Sequence, residues 1–141
     1  MLQSPLLKST HGYIDGQWCA ADSQKTMPVI NPATGETIAI VPVMGRSETT
    51  RAVDAAAKTL AIPASIQQRQ QWLGKLADLI TEHRTELGRI ITHEHGKPLA
   101  EAQGEADYAA SFFRYYAGVV DHLKPKPLTD RPRNHSWTVY Y

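Results

Sequence analysis

The sequence predicts a chain with short antiparallel β-strands, then four α-helices, and finally another strand. Short β-branched runs separated by turn residues occupy positions 13–43. Apolar or small residues then recur three and four positions apart through 47–123, which is typical of helices. A second strand pattern follows at 137–141. By spacing and composition alone, the chain is a soluble α+β module that packs against another surface.

Composition limits the classes of partner. The chain has 141 residues, enough for one average domain, and 42% of them are hydrophobic and 21% charged, which is ordinary for a soluble protein. Its formal net charge of +1 favours neither nucleic acid nor a membrane surface as a partner. No apolar run approaches the ~20 residues of a membrane span. Because Cys19 is the only cysteine, an internal disulfide is excluded, and we expect a cytoplasmic protein.

The N-terminal part is expected to be a small antiparallel β meander. Residues 1–11 are polar and are predicted to form a disordered lead. Three strand-like runs follow, at 13–18, 26–30 and 37–43. Asp15-Gly16 is a strong turn pair, and the segment 31–36 places Asn, Pro and Gly as turn residues. Such short strands are marginally stable alone, so they need a surface to pack on.

Two helices with recognisable start signals come next. Ser47 is expected to cap the first helix, at about 47–61, which is rich in alanine and can approach a neighbour closely. Ser65 and Gln68 have the spacing of a capping box, in which each side chain accepts a hydrogen bond from the other's backbone N–H. They begin a second helix that runs to about Glu82.

The last two helices meet at a clear break. Thr85 is expected to cap the third helix, and Gly96 to end it. Pro98 is expected to begin the fourth, since glycine suits the position after a helix and proline suits the first turn. The fourth helix is predicted to run to about Leu123. Its apolar or small stripe comprises Leu99, Ala102, Ala106, Ala109, Phe113, Tyr116 and Val120.

The C-terminal residues favour pairing with another strand. Prolines at 125 and 127 prevent a helix from continuing there. The run that follows has high β-propensity, and an exposed strand edge invites pairing with another chain. We therefore expect self-association, or pairing with another subunit, through Trp137, Thr138, Val139, Tyr140 and Tyr141. The four cations within 124–133 could instead bind single-stranded nucleic acid, but a solvated linker is the favoured interpretation.

No catalytic constellation is evident from the residues themselves. His93-Glu94-His95 lacks the spacing of four that places two histidines on one helical face, so we predict no metal site there. Cys19 lies near neither a second cysteine nor a helix N-terminus and is interpreted as a structural thiol. There is no glycine-rich phosphate loop of the dinucleotide-binding or Walker type. The aromatic stripe within 112–116 is more often core than ligand site.

Five short motifs occur in a characteristic order. They are Tyr-Ile-Asp-Gly-Gln-Trp (13–18), Val-Ile-Asn-Pro-Ala-Thr-Gly-Glu (29–36), Val-Asp-Ala-Ala (53–56), His-Gly-Lys-Pro-Leu-Ala-Glu-Ala (95–102) and Phe-Phe-Arg-Tyr-Tyr-Ala-Gly (112–118). Together they resemble the N-terminal segment of the aldehyde dehydrogenase superfamily, and the similarity covers about residues 11–141. The run 96–102, with Gly104-Glu105 and 108–112, is most similar to the succinate-semialdehyde dehydrogenase branch.

The resemblance implies an α/β fold with NAD(P)-binding, catalytic and oligomerisation domains. Residues 12–123 would be the N-terminal part of the NAD(P)-binding domain, and 124–141 the crossover and first strand of the oligomerisation arm. Intact relatives would oxidise an aldehyde such as succinic semialdehyde with NAD or NADP. The family's catalytic and cofactor-binding residues lie further along than this chain reaches. The resemblance therefore implies that the chain alone is inactive and holds no cofactor, while Tyr108 matches a position that lines the substrate entrance.

The same resemblance implies exposed apolar faces. The family's helices cover a parallel sheet that this chain does not contain, so we expect the isolated chain to self-associate or to be marginally stable. A non-enzymatic interaction module is the alternative interpretation. Two local departures from the family pattern affect helix packing: His95 stands where glutamine is common, and the junction 60–65 is short and lacks a tryptophan.

Overall fold

The computed structural model describes residues 2–7, 9–119, 126–127, 134–135 and 138–139. In this part of the chain the strands are β1 (Gly12–Ile14), β2 (Gln17–Cys19), β3 (Thr26–Ile30), β4 (Thr37–Pro42), β5 (Lys126–Pro127) and β6 (Thr138–Val139). The helices are α1 (Arg46–Leu60), α2 (Ile66–Glu82), α3 (Arg84–His95) and α4 (Leu99–Val119). The predicted order of short antiparallel strands, four helices and a further strand is confirmed. None of the described helices is both long and apolar enough to cross a membrane.

The N-terminal strands form two separate hairpins. β1 pairs with β2 around Asp15 and Gly16, whose φ values of 50° and 80° suit a tight two-residue hairpin turn. β3 pairs with β4, with Met27 opposite Val41. The expected single meander was wrong, since no pairing joins the two hairpins in the described chain. The run at 13–18 folds back on itself at its turn pair, so it forms both strands of its own sheet.

The turn between β3 and β4 connects this second hairpin to α3. Asn31 is buried, and its Oδ1 accepts a hydrogen bond from the Ala33 N–H at 2.9 Å. Its Nδ2 lies 3.4 Å from Nδ1 of His93 on α3. Gly96, at φ 80°, ends α3 as predicted, and a Cβ there would lie 2.9 Å from Cγ of Pro32. Glycine therefore serves both the left-handed helix end and the close approach of this turn.

One of the three caps predicted at a serine or threonine is present. The capping box of α2 is confirmed: the Gln68 N–H donates to Oγ of Ser65 at 3.1 Å, and the Ser65 N–H donates to Oε1 of Gln68 at 2.8 Å. α1 begins after Gly45, so Ser47 lies inside the helix and does not cap it. Thr85 likewise lies inside α3, because His83 alone separates α2 from α3 and leaves no room for a later cap.

α4 is the central helix of the described chain and packs along both α2 and α3. Its buried residues are Ala102, Ala106 and Ala110. Ion pairs and hydrogen bonds tie it to both neighbours, since Arg84 Nε on α3 donates to Asp107 at 2.7 Å and Arg114 on α4 donates to Oγ1 of Thr81 on α2 at 3.0 Å. The rest of the helix predicted to reach Leu123 lies outside the described residues.

The core is small and consists mainly of alanine. Its buried hydrophobic residues are Ala21, Ile38, Ala77, Ala102, Ala106 and Ala110. No large side chain among the described residues is fully buried. The lead, which the sequence predicted to be disordered, makes backbone contacts here, since Leu2 N donates to Ile38 O at 2.7 Å and Arg89 donates to Gln3 O.

Candidate functional site

The outer side of α4 presents a cluster of exposed aromatic side chains. Tyr108 and Phe112 are 66% and 45% exposed, and their rings meet edge to face with centroids 4.7 Å apart. Tyr115 and Tyr116 are also exposed and form a second edge-to-face pair. Helix positions with this much aromatic surface normally lie against another element. The predicted place of Tyr108 at a substrate entrance stays a prediction, but its ring is free to contact something outside the described chain.

A mainly apolar groove runs between the β1–β2 hairpin, α1 and the start of α2. Its volume is about 800 Å³. Alanines at 52, 55 and 56 line it on the α1 side, and Tyr13, Leu60 and Trp72 stand at its edges. Leu60 is 86% exposed and Trp72 is 61% exposed. Because the groove is open and its walls are small or aromatic, it suits a packed protein element better than a polar metabolite.

The start of α1 carries a buried carboxylate that accepts two backbone hydrogen bonds. Glu48 is buried, and its Oε1 accepts from the Asp22 N–H at 2.6 Å while its Oε2 accepts from the Gly45 N–H at 2.9 Å. These backbone donors, that of Asp22 foremost, lower the pKa of Glu48. Arg51 completes the cluster with two hydrogen bonds to the Asp22 carboxylate, at 2.8 and 2.9 Å, and this pairing lowers the pKa of Asp22.

A second ion pair lies on α3. Arg89 Nη2 donates to Glu86 Oε1 at 2.7 Å, and Nε donates to Oε2 at 3.1 Å. The Arg89 guanidinium, with a smaller contribution from Ser4, lowers the pKa of Glu86 to about 2. Arg89 also contacts the Gln3 carbonyl, so this pair holds the lead against α3. Its role is structural, since both charges already satisfy one another.

The residues weighed for chemistry do not come together. Cys19 is half-buried, and its thiol lies 3.6 Å from the Gly12 carbonyl across the β1–β2 hairpin. His93 contacts Asn31, whereas Glu94 and His95 are exposed at the end of α3. Within the described ranges no cluster of three or more His, Cys, Asp or Glu side chains could hold a metal ion. Cys19 and His93 therefore lie in separate parts of the described structure, the first in the β1–β2 hairpin and the second on α3.

The C-terminal pairing surface is described only in part. Thr138 and Val139 form β6, which pairs antiparallel with β5, with Thr138 opposite Pro127. Trp137, Tyr140 and Tyr141, which the sequence also predicted to take part, lie outside the described residues. The described part of this segment, Thr138 and Val139, is a strand within the chain's own hairpin, and its pairing with another chain stays a prediction.

Sequence reasoning missed the two buried polar residues that anchor the hairpins. The sequence analysis identified Asn31 only as a turn residue, and Glu48 lies in the first turn of the helix predicted at about 47–61. A glutamate at the third position of a helix often accepts from the capping residue's N–H, which was the available signal for Gly45. Nothing in the sequence indicates the bond from Glu48 to the distant Asp22 amide.

Hairpins followed by helices with apolar outer faces define a segment that covers part of a larger α/β fold. A comparison with protein families agrees, because the Aldehyde dehydrogenase family model matches residues 18–141. The chain belongs to the aldehyde dehydrogenase family.

Three relatives show how much of a longer protein this chain matches. The glutarate-semialdehyde dehydrogenase of Pseudomonas putida is 45% identical over 120 residues, which cover 82% of this chain and 25% of that protein. Succinate-semialdehyde dehydrogenase [NADP(+)] of Escherichia coli is 43% identical over 108 residues, covering 74% and 22%. The crystal structure of an oxidoreductase from Marinobacter aquaeolei superposes with a TM-score of 0.91 at 43% identity and covers 100% of this chain and 30% of that one. The chain thus spans about a quarter of the length of these relatives and corresponds to their N-terminal segment.

Proposed function

We propose that these 141 residues form the N-terminal structural segment of an NAD(P)-dependent semialdehyde dehydrogenase and do not catalyse the reaction alone. The proposal rests on one observation: the buried side chains are small, whereas many large apolar side chains are exposed. The core consists mainly of alanine, while Leu60, Tyr108 and Trp72 stay more than half exposed. Apolar area of this kind contributes to stability only when it is covered, so the segment is built to pack against the remainder of such an enzyme.

The substrate class rests on the relatives. Their names specify semialdehydes of the short dicarboxylic acids succinate and glutarate, so we propose an ω-carboxylated aldehyde as the substrate of the whole enzyme. NAD or NADP supplies the hydride acceptor in such an oxidation. A cytoplasmic location is part of the proposal, since a chain with Cys19 as its one cysteine forms no internal disulfide.

The starts of α1 and α2 do not favour the phosphates of a nicotinamide dinucleotide. Helix N-termini bind phosphate through free backbone N–H groups. At the start of α1, however, the Glu48 carboxylate accepts from Gly45, and its negative charge would repel a phosphate. At the start of α2, Ser65 and Gln68 already satisfy each other's backbone N–H. We therefore assign cofactor binding to other parts of the enzyme and expect none by this chain.

An activity assay tests the catalytic part of the proposal. The purified chain is mixed with succinic or glutaric semialdehyde and with NAD⁺ or NADP⁺, and absorbance of the reduced cofactor is followed. We expect no rate above the enzyme-free blank, because Cys19 is the only thiol and it lies against the Gly12 carbonyl. Turnover that disappears in a Cys19→Ser variant would refute the proposal. The Pseudomonas putida relative serves as the positive control.

A chimera tests the structural part. Residues 18–141 replace the matching segment of the Pseudomonas putida glutarate-semialdehyde dehydrogenase. If the exposed faces are built to cover the rest of that fold, the chimera folds and oxidises its semialdehyde. An insoluble or inactive chimera contradicts the proposal, provided that the same exchange with the Escherichia coli segment gives an active enzyme.

A non-enzymatic role in association is the second candidate. The observation in its favour is that β5 and β6 form a sheet of two strands, so that each has an edge without a strand partner in the described chain. Such edges pair readily with another chain. We propose that Trp137–Tyr141 mediates pairing with a second copy or with a dehydrogenase subunit. Sedimentation of the chain with and without residues 136–141 tests this, and an unchanged oligomer size would exclude it.

A further inference from the structure

α1 is the least embedded helix of the described chain. α2 and α3 both pack along α4, whereas the main packing partner of α1 is the three-residue strand β1. Glu48 is the only residue of α1 that is buried, and Val53 and Leu60 are 61% and 86% exposed. A helix with so little apolar burial gains little stability from packing and depends on its remaining contacts.

Two clefts separate α1 from the β1–β2 hairpin. The groove of about 800 Å³ lies on one side, lined by Ala52 and Ala56 of α1. A smaller cleft of about 340 Å³ lies on the other, where Arg51 and Lys58 of α1 face Cys19 of β2. Ile14, Asp15 and Ala55 line both clefts, so the direct contact between helix and hairpin is narrow. Interfaces packed this loosely forfeit much of the dispersion energy of a close-packed core.

Polar contacts hold one end of α1. Glu48 accepts backbone N–H groups from Gly45 and from Asp22, which lies in the connection between β2 and β3. Arg51 donates two hydrogen bonds to the Asp22 carboxylate. These contacts lie within the first two turns of the helix, and its other end, at Leu60, lacks an equivalent tie among the described side chains.

We infer that α1 opens from the β1–β2 hairpin as a unit while α2, α3 and α4 stay packed, and that the Glu48 carboxylate is the latch that keeps it closed. The opening joins the two clefts, and it gives the segment a hinged arm that adjusts to the surface it covers. The inference concerns the isolated chain. It stands or falls separately from the proposed function, because an inactive chain is compatible with either behaviour of α1.

Hydrogen exchange of the wild-type chain, read by mass spectrometry at pH 7, gives the first test. Amides of 46–60 are expected to exchange at least tenfold faster than the slowest amides of α4, since partial opening needs less free energy than global unfolding. Equal protection of α1 and α4 would overturn the inference, because the helices would then open together.

A pair of matched variants gives the second test. Glu48→Gln places an NH₂ group against a backbone N–H and removes the charge that strengthens both hydrogen bonds, so exchange within 46–60 is expected to rise about ten- to hundredfold. Glu101→Gln removes the same charge from the first turn of α4, where the side chain is exposed. This control should change the exchange rate of the α1 amides by less than about twofold. The exchange of α2 to α4 should stay unchanged in Glu48→Gln.

Two outcomes of the variant test count against the latch. If Glu48→Gln accelerates α4 as much as α1, Glu48 stabilises the whole fold rather than one arm. If it leaves α1 unchanged, the carboxylate does not hold the helix. Should Glu48→Gln fail to fold, Glu48→Asp replaces it, since aspartate keeps the charge but holds its carboxylate one methylene short of the Asp22 and Gly45 N–H groups. That variant should accelerate α1 alone by several-fold, and uniform acceleration or none would contradict the latch.

Discussion

α4 and α1 are both rich in alanine, yet the chain holds them in different ways. In α4 the alanines at 102, 106 and 110 repeat every four residues and are buried against the neighbouring helices. In α1 the alanines at 52, 56 and 57 are exposed and Ala55 is half-buried. Alanine brings helix axes close together only where a second helix is present. Among the described residues, the alanine face of α4 is therefore covered by neighbouring helices, whereas most of the alanine face of α1 is exposed.

The difference extends to the polar contacts. α4 is tied to α3 by Arg84–Asp107 and to α2 by Arg114–Thr81, at well-separated points along its length. The contacts of α1 are concentrated at its first turns, around Glu48. Bonds spread along a helix resist both rotation and fraying, whereas bonds at one end leave the other end free. Substitutions can therefore separate a cooperative unit, α2 to α4, from a weakly attached arm.

The largest effect is expected from enlarging the alanine interface. Ala102 is 0% exposed, so in Ala102→Leu the added branched side chain must force the helices apart. Overpacking of this kind costs about 1–3 kcal/mol in the free energy of unfolding, which urea denaturation would measure. Ala100→Leu, two residues earlier on the exposed side of α4, is the control and should change stability by less than about 0.5 kcal/mol. Equal effects at both positions would mean that the interface is not close-packed.

A smaller loss is expected where α3 crosses α4. In Gly88→Ala the new Cβ would lie 2.6 Å from Cγ and 3.1 Å from the backbone N of Gln103, so α4 must shift. We expect a net destabilisation of about 1 kcal/mol, although alanine improves helix propensity. Gly74→Ala in α2 is the matched control, since no atom lies within 4 Å of its new Cβ, and it should stabilise by about 0.5–1 kcal/mol. A stabilising Gly88→Ala would show that the crossing tolerates more space.

Acid should weaken the attachment of the lead to α3. Arg89 lowers the pKa of Glu86 from 4.5 to about 2 in the folded chain, so ionised Glu86 favours folding above about pH 4.5 and this contribution is lost as the pH falls towards 2. The melting temperature of wild type should therefore exceed that of Glu86→Gln at pH 7, and the gap should shrink at pH 3. Arg89→Gln removes the cation and should shrink the gap in the same way. A gap independent of pH would exclude this ion pair as its cause.

The sequence predicted some of the features that short-range chemistry decides, although the expected caps at Ser47 and Thr85 were wrong. The Ser65–Gln68 capping box and the end of α3 at Gly96 depend on neighbours within four residues, and both were correct. Features that depend on distant partners were missed or wrong. The bond from Glu48 to Asp22 joins residues 26 positions apart, which no local pattern encodes.

The face of α4 shows the same limit. Periodicity placed Leu99 and Tyr116 on its stripe with Ala102, yet they are 45% and 54% exposed. Helical spacing identifies an apolar side but not how much of it a neighbour covers. The family could thus be predicted from its motifs. Which face of α4 is covered and which is left open required the structure.

The smallest effect on stability is expected at the C-terminal end of α1, where Leu60 can be compared with Leu87 of α3. Leu60 is 86% exposed, so Leu60→Ala should lower the free energy of unfolding by less than about 0.5 kcal/mol. Leu87→Ala, at a half-buried position of α3, should lower it by about 1–2 kcal/mol, because that side chain has packing to lose. Sedimentation should rank the two variants in the opposite order. Leu60→Ala should weaken self-association, because Leu60 lines the open groove, whereas Leu87→Ala should leave it unchanged. If the two substitutions lower the free energy of unfolding by the same amount, α1 belongs to the same cooperative unit as α3, and the contrast between the two regions disappears.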